Sequence, residues 1–196
     1  KVSDSIYLVA PAIKNIITMN SGATLQIPDG FQIQKLDQDN KSIKLESPEK
    51  DMNIFLIESK GNDLKQAIED AWKSVTPFLI KKFDYKIAET IEPPAPSGYD
   101  AFVIQNYESD KEIVVTALAQ RKNDAIWTFL ISGTRATFHK RYSQINIFTD
   151  SLKVPNMATE DLTAKPLKSI KENREQFDES IVQAMRKLDV PGISIA

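Results

Sequence analysis

The chain has 196 residues, 41% of them hydrophobic and 27% charged, the balance of a folded globular protein of one domain with a remainder. Lys and Arg number 25 against 27 Asp and Glu, a net charge of −2. With no basic excess to neutralise phosphates, the composition points away from a general nucleic-acid binder. Cysteine is absent and His139 is the single histidine, which removes disulfides, thiol nucleophiles, Cys-ligated zinc, iron–sulfur clusters and multi-histidine metal sites.

The sequence starts at Lys1 rather than Met, which suggests that an upstream piece has been removed. The apolar stretch Ile6–Ile13 is interrupted by Pro11 and is far shorter than the ~20 residues of a membrane span. It also lacks the charged start and small-residue cleavage site of an intact signal peptide. From Thr24 the pattern is one of short strands: Thr24–Ile27, then the turn Pro28-Asp29-Gly30, then Phe31–Leu36, Ile43–Leu45 and Met52–Ile57. These four runs are expected to form an antiparallel meander with one buried face.

The period then changes from two to 3.6. Leu64, Ala67, Ile68, Ala71, Trp72 and Val75 share one side of a helix, with Asp63 as its cap and Gln66 completing a capping-box-like pair. Pro77 stops it. A short strand is expected near Lys86–Ile91, followed by the Pro-rich loop Glu92–Gly98. Longer strands follow at Tyr99–Tyr107, Glu112–Arg121 and Ala125–Gly133, the last two joined by the tight connection Lys122-Asn123-Asp124.

Thr134 is placed to cap a second helix, whose stripe Phe138, Tyr142, Ile145, Phe148 and Leu152 is expected to be buried. Residues 156–172 read as a charged linker. A third helix is expected over Asn173–Leu188, with Phe177, Ile181, Met185 and Leu188 as its apolar face. The segment Val190–Ala196 then reads either as a short terminal strand or as a chain interrupted inside a larger fold.

A search for chemistry finds little. Ser47-Pro48-Glu49-Lys50 matches the Ser-x-x-Lys spacing of serine hydrolases, but it falls in a polar turn with no helix to align the pair. His139 lies off the apolar stripe, as a surface histidine would. Glu69-Asp70 and the group Glu175, Asp178 and Glu179 read as solvated helix faces, weak calcium binding being the sharper alternative for the second. Gly30 and Gly133 are isolated and make no phosphate-cradling loop. Arg135, Lys140 and Arg141 form a basic group on a helix face, and Trp72 and Trp127 read as core. No catalytic, cofactor-binding or metal-ligating residue is assigned, and no cofactor.

Two resemblances add to this. Asn173–Ala196, with its amphipathic helix followed by Val190-Pro191-Gly192-Ile193-Ser194-Ile195-Ala196, resembles the start of the serine β-lactamase and penicillin-binding-protein-like hydrolases. In that family the catalytic Ser-x-x-Lys lies well beyond the Pro-Gly turn, so no catalytic residue carries over. Residues 21–155 are similar in layout to the PsbP-like fold. Ile27-Pro28-Asp29-Gly30-Phe31 matches its opening element and Asp150-Ser151-Leu152 its close.

The expected architecture is therefore α+β, an antiparallel sheet flanked by helices, followed by a linker and a helix–strand stub. Residues 1–20 would be an extension, 21–155 the PsbP-like domain, 156–172 the linker and 173–196 the start of a β-lactamase-like domain. The resemblances imply a non-catalytic accessory module of an exported, periplasmic bacterial hydrolase. Its partners would be its own hydrolase domain and a protein or cell-wall ligand, with no nucleic acid and no membrane span. The alternatives are a self-contained PsbP-like binding or assembly protein, and a small enzyme built on His139.

Overall fold

Met52–Leu56 are buried without a break, which a strand shows only when both faces of its sheet are covered. The computed structural model describes residues 15–79, 86–96, 98–109, 111–155, 157, 179 and 181–183. The chain divides into two compact units, 1–159 and 160–196. The first unit holds the strands β1 (Ile16–Thr18), β2 (Thr24–Gln26), β3 (Gln32–Lys35), β4 (Ser42–Glu46) and β5 (Met52–Lys60). After helix α1 (Leu64–Val75) come β6 (Ile87–Ile91), β7 (Ala101–Tyr107), β8 (Ile113–Lys122), β9 (Ala125–Thr134) and helix α2 (Arg135–Asp150).

Seven strands form one antiparallel sheet in the order β3-β4-β5-β9-β8-β7-β6, while β1 and β2 form a separate ribbon. The long, apolar strands β5, β9 and β8 hold the middle. The rim strands β3 and β6 are short and exposed along their whole length, and a register irregularity between Ile87 and Glu89 interrupts β6. Rims of this kind discourage pairing with further strands.

Side-chain alternation splits the core into two layers. Phe55, Leu130, Ala117 and Val103 face Ile68, Ala71, Trp72 and Val75 of α1. Their neighbours Ile54, Leu56, Phe129 and Ile131 face Ile145 and Phe148 of α2, together with Leu25 of the ribbon. The expected meander with one buried face is thus corrected twice. The Thr24 run leaves the meander to pair with Ile16–Thr18, and β5 is covered on both sides. The ribbon also draws part of the expected N-terminal extension into the packed fold, since Met19 is buried.

Local signals account for both helices. Asp63 accepts hydrogen bonds from the Lys65 and Gln66 N–H groups at 2.9 and 3.1 Å. The Gln66 side chain, however, donates forward to Asp70 at 3.0 Å rather than back to the cap, so only half of the capping box forms. Thr134 caps α2 through the Thr137 N–H at 3.3 Å. On α2, Tyr142 is 53% exposed, contrary to expectation. The ribbon and sheet cover only the line of Thr137, Ile145 and Phe148. Phe138 is half-buried at the margin, and Tyr142 leans on its ring at 5.9 Å.

In the second unit, Glu179 and Ile181–Gln183 are helical, and Val182 is 44% exposed. The remainder of the expected third helix, the Val190–Ala196 segment, Ile6–Ile13 and all of the linker except Met157 lie outside the described residues.

Candidate functional site

A hollow of about 250 Å³ opens beside the β8–β9 hairpin. The hairpin itself is tight because Lys122 pairs with Ala125, leaving Asn123 and Asp124 as its loop. Asn123 has φ 55°, a left-handed conformation that asparagine tolerates well. Asp100 braces the loop, accepting the Asn123 N–H at 2.6 Å and the Lys122 ammonium at 3.1 Å. The Asn123 N–H first, and Lys122 second, hold the Asp100 carboxyl below the usual carboxylate range.

The opposite wall comes from the ribbon and the segment after α2. Thr24 and Lys153 exchange backbone hydrogen bonds of 2.8 and 2.9 Å, which places Val154 and Pro155 against the hollow. Gly22 makes room for this: a Cβ there would stand 3.1 Å from Pro155 Cγ. Ser21 contributes its backbone N–H to Glu58 at 3.2 Å, and its Oγ accepts the Ala23 N–H at 3.3 Å.

Trp127 forms part of the floor and is 1% exposed, with its indole Nε1 lacking a hydrogen-bond partner. Tyr99 meets it edge to face at 6.5 Å, and the Tyr99 hydroxyl donates to the Leu152 carbonyl at 3.1 Å. Burial pushes that phenol up to about 12. At the rim, Lys122 pairs with Asp100 and Lys60 with Asp124. The rim of the hollow is therefore polar, and Trp127, Val154 and Pro155 supply its apolar lining.

The residues singled out in the sequence are scattered. Ser47 is buried, its Oγ unpartnered, in a turn closed by the Lys50 N–H donating to the Ser47 carbonyl at 2.9 Å. Lys50 is exposed at φ 62°, and no helix aligns the two. His139 is exposed beside the Phe138 ring. Glu69 and Asp70 are exposed and share Lys73. Glu179 is exposed, whereas Glu175 and Asp178 lie outside the described residues. Trp72 is buried at 2% and meets Tyr107 edge to face at 5.6 Å.

The basic group on α2 is more engaged than a solvated face would be. Arg135 donates to the Lys111 carbonyl at 2.8 Å, and both Arg141 and Lys140 hold Glu49. Arg141 first and Lys140 second bring the Glu49 carboxyl down to about 2. Among the described residues, no group of three or more His, Asp or Glu could hold a metal ion. None of the described helices is long and apolar enough to cross a membrane. Sequence reasoning missed Asp100, Tyr99 and Glu49. The hairpin loop was the one readable signal for the site.

No protein-family model and no curated protein matches the sequence. Among solved structures, the solution structure of cyanobacterial PsbP (CyanoP) from Synechocystis sp. PCC 6803 matches at a TM-score of 0.52 and 12% identity. The match covers 76% of this chain and 97% of that one. A crystal structure from Bacteroides thetaiotaomicron VPI-5482 matches at a TM-score of 0.43 and 12% identity, over 88% of this chain and 61% of that one. The chain is an α+β protein with a PsbP-like fold.

Proposed function

We propose that residues 21–155 act as a non-catalytic accessory or binding module of an exported, periplasmic bacterial serine hydrolase of the β-lactamase-like class. The PsbP-like sheet with its polar-rimmed hollow is the observation that carries the module half of this reading. The hydrolase half rests on the run Val190-Pro191-Gly192-Ile193-Ser194-Ile195-Ala196, with residues 156–172 as the linker. Catalytic residues would then follow residue 196, and the module would present a protein or cell-wall ligand to them. The second reading is a self-contained PsbP-like binding protein, and the match over 97% of the cyanobacterial PsbP structure supports the fold that both readings share.

Sequencing the reading frame past Ala196 separates the two. Continuation to a Ser-x-x-Lys and further hydrolase motifs supports the accessory reading, whereas a stop codon there overturns it. The 196-residue chain itself should not be labelled by a fluorescent penicillin or turn over a chromogenic cephalosporin. Stoichiometric acylation of any serine in it would contradict the non-catalytic assignment.

A further inference from the structure

We draw no further inference here: the strongest candidate outside the hollow already described, the apolar row of exposed Ile91 and half-buried Ile104 and Leu118 across β6, β7 and β8 on the α2 side of the sheet, carries nothing because nothing in the structure shows what covers it.

Discussion

Arg141 grips Glu49 across 92 residues of sequence: its Nη2 lies 2.6 Å from one carboxylate oxygen, and its Nε lies 3.2 Å from both. This paired geometry fastens the β4–β5 turn to the middle of α2. Gln144 extends the clamp, accepting from Arg141 at 3.0 Å and donating to the Asp29 carbonyl at 3.2 Å.

The clamp sets an acid dependence. Glu49 has its carboxyl lowered from an ordinary 4.5 to about 2, so folding favours the ionised form. That contribution is present above about pH 4.5 and is lost as the pH falls through about 2. The midpoint difference between wild type and Glu49→Gln should therefore shrink over that interval. A gap that stays constant down to pH 2 would show that packing, not charge, carries the contact.

Tyr99 gives the opposite limb. Its phenol, raised from 10.0 to about 12 by burial, favours folding in the neutral form, so its contribution is complete below pH 10 and is lost as the pH rises through 12. Ultraviolet titration of the wild type and of Tyr99→Phe should differ by the loss of one late-ionising phenol in the variant. The same substitution should cost about 0.5–1.5 kcal/mol in urea unfolding near neutral pH, through loss of the bond to Leu152.

Core position decides the next pair. Trp72→Ala should cost about 3–5 kcal/mol, because the indole fills the layer between α1 and Tyr107 and its loss leaves a cavity. His139→Ala, on the exposed side of α2, should change stability by less than about 0.5 kcal/mol. Chemical denaturation of both variants checks the order, and a larger loss at His139 would mean that the helix faces are wrongly placed.

Two glycines should respond differently to alanine. At Gly133 a Cβ would stand 2.5 Å from Met52 Cβ and 2.7 Å from its Cα, so backbone must move, at a cost of about 1–3 kcal/mol or more. At Gly98 the new Cβ would meet the Met157 side chain at 2.7 Å, which can swing away. The residual penalty there is the φ of +89°, about 1–2 kcal/mol. Differential scanning calorimetry of the two variants should show the greater loss at Gly133.

What the sequence made legible was local. The α1 stripe from Leu64 to Val75 and its Asp63 cap depend on neighbours within a turn or two, and the structure has them. Tyr142 was misread because the spacing of a stripe says which side chains align, not how wide a surface their partner covers. The ribbon strand Ile16–Thr18 was missed because three residues give no period to read. The site was still less visible. Asp100 lies 23 residues from Asn123, and only the register between β7 and β8, which sets Ala101 against Arg121, brings them together.

The bridge between Thr24 and Lys153 has a mechanical consequence. It is antiparallel, as is the pairing of β1 with β2, so β1 and the segment around Lys153 run in the same direction on either side of β2. Tension applied between residue 15 and residue 157 would pull these outer lines in opposite senses. The ribbon would then be loaded along its strands, with the two Thr24–Lys153 bonds and the Ile27 N–H bond to Asn15 sharing the force instead of opening one at a time.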